Sequence, residues 1–206
     1  ESLSGDNRFL NVLPPFHVFG LTACVLLPVL LKATVFALPR FHPIDAVKTI
    51  AAKGVTLMIA IPSMYTAMLK MKSAHREMFR SVRVAMSGGE PLPESVARAF
   101  DERFGVKLHQ GYGLTETSPV ISVCTPARCK DGTVGRALPN VEIRIVGPAG
   151  ETLGARADGE ILVRGPIIMK GYFNQPEETA KVIDAEGWFH TGDMGFLDEE
   201  GFLTIS

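Results

Sequence analysis

Val82-Arg83-Val84-Ala85-Met86-Ser87-Gly88-Gly89-Glu90-Pro91-Leu92-Pro93 is the stretch on which the fold turns. Val82–Met86 is a short apolar run without clean alternation, as in a strand covered on both faces. It ends in a Gly-Gly turn. The helix candidate Glu94–Phe104 follows, closed by Gly105 as helix C-termini often are. Val106–His109 then starts another strand, which delivers Gln110-Gly111-Tyr112-Gly113-Leu114-Thr115-Glu116-Thr117. Strand, turn, helix and strand form the unit of a parallel sheet with right-handed crossovers. Ligands of such sheets bind beyond the carboxyl ends of the strands.

Working outward, the alternation holds from residue 9 to about 125. Phe9–Leu13, Ala33–Leu38 and Val55–Ile61 are expected strands covered on both faces. His17–Leu31, Ile44–Lys53 and Ser63–Met71 are expected helices. Gly54 closes the second of these, and Pro43, Pro62 and Pro93 sit near helix starts, where a missing N–H matters little. After Thr125 the composition changes. Pro126–Thr133 is turn-rich, and Val141–Val146, Glu160–Arg164 and Ile168–Tyr172 read as strands. Ile143 and Ile145 alternate with Glu142 and Arg144, the half-buried pattern of an antiparallel sheet. One helix, Pro176–Ile183, interrupts them. Phe196-Leu197 and Phe202-Leu203 flank Asp198-Glu199-Glu200-Gly201, a hairpin signal with a solvated acidic turn. The expected fold is therefore α/β, a mostly parallel sheet with covering helices over residues 1–125. A smaller antiparallel β subdomain over 126–206 follows it.

The bulk numbers set limits on function. A chain of 206 residues with 46% hydrophobic and 21% charged residues is an ordinary globular composition. A net charge of -1 gives no electrostatic case for nucleic acid or an anionic membrane surface. Cys24, Cys124 and Cys129 form no metal-ligand pattern. Their odd count argues against a disulfide framework and for a reducing, cytoplasmic setting. No signal peptide is read in the polar opening Glu1–Asp6. The most apolar run, Val18–Leu31, contains Pro28 and is shorter than the roughly 18 residues that span a bilayer.

Three segments carry chemistry. In Gln110–Thr117 the glycines allow a tight turn and close approach to a ligand. Tyr112 offers a flat face, Thr115 and Thr117 offer hydroxyls for phosphate oxygens, and Glu116 is a hard oxygen ligand of the kind Mg²⁺ prefers. Ser87–Pro93 exposes backbone donors at a strand end, and equally reads as a tight strand-to-helix turn. With Tyr112, the floor Gly88–Pro91 would sandwich a purine. In Gly187-Trp188-Phe189-His190-Thr191-Gly192-Asp193 the final carboxylate, placed just after a turn, suits both hydroxyls of a ribose. It also suits a turn cap. Trp188 reads as core. His17, in Pro14-Pro15-Phe16-His17-Val18-Phe19-Gly20, reads as a core residue or a cap. His42, His75, His109 and His190 lack zinc spacing.

Taken in order, these segments stop being independent. Together with Val134-Gly135-Arg136 and Pro139, Gly159-Glu160-Ile161, Arg164-Gly165-Pro166 and Met169-Lys170-Gly171-Tyr172, they resemble the adenylate-forming superfamily. The resemblance covers essentially the whole chain. It implies a ligase in which a carboxylate attacks the α-phosphate of ATP, and a thiol, usually coenzyme A, then displaces AMP. Positioning and charge neutralisation dominate such chemistry. By resemblance Gly89, Glu90 and Pro91, next to Gly88 in the same floor, form the adenine-binding turn, and Tyr112 stacks on adenine. Thr115 contacts phosphate, Glu116 holds Mg²⁺ and Asp193 accepts the ribose hydroxyls. Gln110, Gly111 and Gly113 line the meeting point of adenylate and acyl chain, and His17 stands beside the acyl carboxylate and thiol tunnel.

Leu114 stands where peptide-synthetase adenylation domains usually carry Pro. Phe16-His17 replaces their Phe-Asp, and no carboxylate lies between Asn11 and Leu38 to pair with an ammonium group. An uncharged acid is expected, a fatty acid first and an aryl acid of the cinnamate type second. The superfamily's phosphate loop with its Lys, its Arg hinge and its lysine-bearing C-terminal domain do not occur in these 206 residues. Missing N- and C-terminal parts of its own chain are thus expected partners, and the segment alone is expected to be inactive. A non-catalytic nucleotide-binding module and an interaction domain remain the alternatives from other classes.

Overall fold

The computed structural model describes residues 3–206. Glu1 and Ser2, the start of the polar opening, lie outside them. The class is as expected: a mostly parallel sheet with helices, followed by antiparallel β structure. The chain forms two compact units, one ending at Gln110 and the other running Gly111–Ser206. The compositional shift at Pro126 lies further along, within the second unit.

In the first unit the strands are β1 (Arg8–Asn11), β2 (Thr34–Ala37), β3 (Leu57–Ala60), β4 (Val84–Ser87) and the start of β5 (Leu108–Tyr112). They are parallel and lie in the order β2-β1-β3-β4-β5. Alternate residues serve opposite faces. Leu10, Met58 and Ala60 join the core of one face, and Phe9, Leu57 and Ile59 that of the other. The first face is covered by α3 (Pro43–Lys53), α4 (Pro62–Leu69) and α5 (Glu94–Phe104). Phe100 and Phe104 of α5 are one turn apart. They meet Tyr65 and Phe79 in edge and stacked contacts 4.3–5.6 Å between ring centres. The second face is covered by one helical stretch: α1 (Val18–Gly20), a π-helical segment Leu21–Leu26 and α2 (Leu27–Leu30). Gly54 and Gly105 end α3 and α5 in the left-handed conformation, which glycine adopts without a Cβ clash. β2 departs from expectation. It is an edge strand with three of its four residues exposed, because β1 is its sole neighbour.

In the second unit the last residues of β5 pair antiparallel with β6 (Ser122–Val123), which pairs with β7 (Arg136–Ala137). A second sheet has the order β11-β10-β9-β8, all antiparallel. Its strands are β8 (Glu142–Val146), β9 (Gly159–Arg164), β10 (Phe189–Leu197) and β11 (Leu203–Ile205). The expected hairpin is present, with Leu197 opposite Leu203. Ile121, Val141, Ile145, Ile161, Val163 and Leu203 form the core. Trp188 is 6% exposed, packs on Val146 and Leu162, and lies under the guanidinium groups of Arg144 and Arg164.

Two expectations fail here. Ile168–Tyr172 is not a strand: its backbone is tied to loop and helix, Met169 N–H to the Glu116 carbonyl and Tyr172 N–H to Thr179 Oγ1. α6 (Pro176–Val182) follows it. Asp198 is not solvated. It is 8% exposed and accepts from Lys130 and from the N–H groups of Glu200 and Phe202. Among the described residues no helix is long and apolar enough to cross a membrane.

Candidate active site

β4 and β5 run side by side with Ser87 opposite Gln110, so their carboxyl ends are neighbours. Ser87 is 2% exposed, and its hydroxyl has no hydrogen-bond partner among the described residues. The chain then turns through Gly88 and Gly89, the latter at φ +78°. Gly89, Glu90 and Pro91 are exposed. Glu90 has a structural task that its sequence position did not reveal. Its carboxylate accepts from the N–H and hydroxyl of Ser63, at 3.3 and 3.4 Å, in the first turn of α4. A carboxylate is favourable there, where backbone donors lack partners. His17 is exposed, and its Nδ1 accepts from Phe19 N–H at 3.2 Å. It caps α1, the bland alternative read from the sequence.

The second unit gathers more of the expected residues. Tyr112, at the end of β5, donates its hydroxyl to Asp193 Oδ2 at 2.6 Å, across 81 residues of sequence. Burial and this bond to a carboxylate both hold the Tyr112 phenol above its ordinary pKa. Asp193 does not simply follow a turn. It lies within β10, where the register with β9 shifts between His190 and Met194. Gly192, at φ +75°, belongs to that irregularity. Thr191 Oγ1 fixes it locally, accepting Asp193 N–H at 3.1 Å and donating to the Ile161 carbonyl at 2.7 Å.

After β5 the chain passes Gly113 into a 3-10 turn, Thr115–Thr117. A Cβ on Gly113 would sit 1.9 Å from the Pro119 carbonyl oxygen, so no larger residue fits. Thr115 is exposed. Thr117 is fully buried, accepting Leu114 N–H and donating to Leu114 C=O. Its hydroxyl therefore belongs to the turn and is withdrawn as a phosphate contact. Glu116 Oε1 accepts the Tyr172 hydroxyl at 2.9 Å, which raises the Tyr172 pKa. The sequence alone assigns Tyr172 no role. The signal in sequence is its place at the end of Met169-Lys170-Gly171-Tyr172, one of the segments that carry the resemblance, just ahead of the proline that opens α6.

Neither Glu116 nor Asp193 is paired with a lysine, arginine or histidine among the described residues. No group of three or more His, Cys, Asp or Glu residues there could hold a metal ion unaided. Such a set is not required for Mg²⁺, which keeps waters and phosphate oxygens beside one or two carboxylates. The fit is favourable: Glu116 Oε2 has no partner among the described residues, and the Thr115 hydroxyl is exposed.

A family model described as AMP-binding enzyme matches residues 1–173. The chain is 39% identical over 203 residues to 4-coumarate–CoA ligase 2 of Oryza sativa subsp. japonica, covering 95% of this chain and 36% of the relative. It is 38% identical over 204 residues to the long-chain-fatty-acid–CoA ligase of Bacillus subtilis (strain 168), covering 98% and 36%. Apo MatB from Rhodopseudomonas palustris superposes with a TM-score of 0.92 at 30% identity, covering 98% of this chain and 40% of that one. O-succinylbenzoate coenzyme A synthetase (MenE) from Bacillus subtilis, in complex with ATP and a magnesium ion, gives 0.83 at 35% identity, covering 97% and 41%. The chain thus spans little more than a third of the length of these curated relatives.

Proposed function

The chain belongs to the AMP-binding enzyme family, and from that premise we propose that the whole protein is an AMP-forming acid–thiol ligase, an acyl-CoA synthetase. A carboxylic acid is joined to AMP at the expense of ATP, and the thiol of coenzyme A then takes the acyl group. Adenylation replaces a poor carboxylate leaving group with AMP, and the protein's task is to hold reactants and accommodate charge.

One observation carries the reading: the Tyr112–Asp193 bond brings a flat ring and a hydroxyl acceptor together from distant strands. Tyr112 takes the adenine face, and Asp193 accepts from the ribose. Thr115 donates to a phosphate oxygen, and Glu116 is the protein's ligand to Mg²⁺, whose chemistry when bound is to neutralise phosphate charge. To the first unit we assign the adenine-edge turn Gly88–Pro91, and His17 and Gln110 beside the acyl group; Gly111 and Gly113 give close backbone approach. The absence of any carboxylate from Asn11 to Leu38 supports an uncharged acid, with a fatty acid first and a cinnamate-type acid second. The odd cysteine count supports the cytoplasm.

Calorimetric titration of AMP into the full-length protein tests the carrying observation. Asp193→Asn removes the charge that the ribose hydroxyls donate to. A hydrogen bond to a charged group contributes about 1.5–3 kcal/mol, so AMP should bind at least tenfold more weakly. Unchanged affinity would sink the ribose assignment.

A further inference from the structure

Four carboxylates of the second unit are held by cations. Glu142 pairs with Arg164 at 2.9 Å, Glu199 with Arg156 at 2.9 Å, Asp198 with Lys130 at 2.5 Å and Glu178 with Lys181 at 2.6 Å. Each of these charges is compensated by a cation. Glu116 and Asp193 are held instead by neutral phenol groups, Tyr172 at 2.9 Å and Tyr112 at 2.6 Å. The difference matters chemically. An ammonium or guanidinium would compete electrostatically with any incoming cation. A hydroxyl fixes the carboxylate's orientation and leaves its full charge in place.

We propose that Tyr172 is a positioning residue for Glu116: its hydroxyl fixes Oε1 and leaves Oε2 to a divalent cation carried by the bound nucleotide. The inference rests on Glu116 being the Mg²⁺ ligand, as argued above. Four further contacts show that the hydroxyl is held by folded structure. Met169 N–H donates to the Glu116 carbonyl at 2.8 Å, so the same segment grips residue 116 at backbone and side chain. Tyr172 N–H donates to Thr179 Oγ1 at 2.9 Å, and that hydroxyl donates to the Gln175 carbonyl at 2.9 Å. Gly171 lies so close to Thr179 that a Cβ there would be 2.9 Å from its side chain. The first turn of α6 therefore fixes Tyr172, and Tyr172 fixes Glu116. Carboxylates that bind metals are commonly oriented by such outer partners, whose loss weakens metal binding roughly 10–100-fold.

The test uses the full-length protein with Mn²⁺ as the probe and α,β-methylene-ATP as a non-reacting nucleotide. Electron paramagnetic resonance reads the free Mn²⁺. Tyr172→Phe deletes one oxygen and keeps the ring. It should weaken Mn²⁺ binding by about tenfold while metal-free AMP affinity stays within about twofold. In a Glu116→Gln background it should add no further loss, as expected when two residues act through one interaction. Thr179→Ala loosens Tyr172 through its backbone without touching Glu116. It should also weaken Mn²⁺ binding, and it serves if Tyr172→Phe does not fold. Parental Mn²⁺ affinity in both variants, with Glu116→Gln impaired, would overturn the positioning role and leave Glu116 as a ligand. An equal loss of Mn²⁺ and AMP affinity would make Tyr172 merely structural and overturn it too. No effect of Glu116→Gln would refute the reading on which the inference stands.

Discussion

The acidic triplet Asp198-Glu199-Glu200 looks uniform in sequence, yet its members are held differently. Glu199 meets Arg156 in the open, whereas Asp198 is buried against Lys130 and accepts two backbone N–H groups. The Lys130 ammonium, first, and the Phe202 N–H, next, hold the Asp198 carboxyl at about 2, below its ordinary 3.8. A depressed pKa stabilises the fold in the ionised form. That contribution is complete above the ordinary value, declines as pH falls below it and is lost as pH passes through about 2. Urea midpoints measured at pH 5, 3 and 2 should therefore fall more steeply for the parent than for Asp198→Asn, which has no charge to lose. Parallel curves would contradict the assignment. Sequence could show that an Asp three residues before Gly suits a turn. It could not show Lys130, which is brought there from 68 positions away. Tyr112 with Asp193 and Tyr172 with Glu116 were hidden for the same reason. The residue types proposed for the site are a reading of the sequence, while their partners are set by the tertiary fold.

Elements were legible where local and tertiary signals agree. Glu94–Phe104 has the bounds expected from sequence because Pro93 and Gly105 mark its two ends. Ile168–Tyr172 failed because an apolar run of strand length is ambiguous without its hydrogen-bond partners, which here are a loop carbonyl and a helix hydroxyl. Asp193 reads as following a turn because the irregularity of β10 at Gly192 looks like one locally, whereas the end of the same strand, Phe196-Leu197, is legible as one arm of the hairpin. α5 offers the clearest energetic test. Phe100 is fully buried and touches the rings of Tyr65, Phe79 and Phe104. Phe100→Ala removes a large apolar group and leaves a cavity, a change that costs about 3–5 kcal/mol in packed cores. Chemical denaturation should show a loss of that size. A loss under about 1 kcal/mol would mean that the aromatic cluster can collapse around the gap.

At the scale of the whole molecule, the backbone and the choice of substrate are separate properties. Relatives named for 4-coumarate and for long-chain fatty acids match this chain almost equally well, at 39% and 38% identity. A structure named for O-succinylbenzoate shares its fold at a TM-score of 0.83. Proteins named for acids of different shape thus match one fold, and topology alone does not name the acid. Charge gives the first discrimination, since a buried carboxylate or ammonium group without a partner is strongly disfavoured. On the proposed reading, the carboxylate-free stretch from Asn11 to Leu38 disfavours amino acids before it says anything of chain length. A thermal-shift panel on the full-length protein reads the remainder, because a ligand stabilises the folded state only to the extent that it binds it. At a hundred times its dissociation constant an acyl-adenylate analogue should add about 2.7 kcal/mol and raise the melting temperature by a few degrees. Alkyl-adenylates are expected to give the largest rise, cinnamoyl-adenylates a smaller one and aminoacyl-adenylates the smallest. A cinnamoyl maximum would reverse the order of the two acids and keep the ligase. An aminoacyl maximum would refute the uncharged-acid argument itself, since the pocket would then hold a partner for the ammonium that the Asn11–Leu38 segment does not supply.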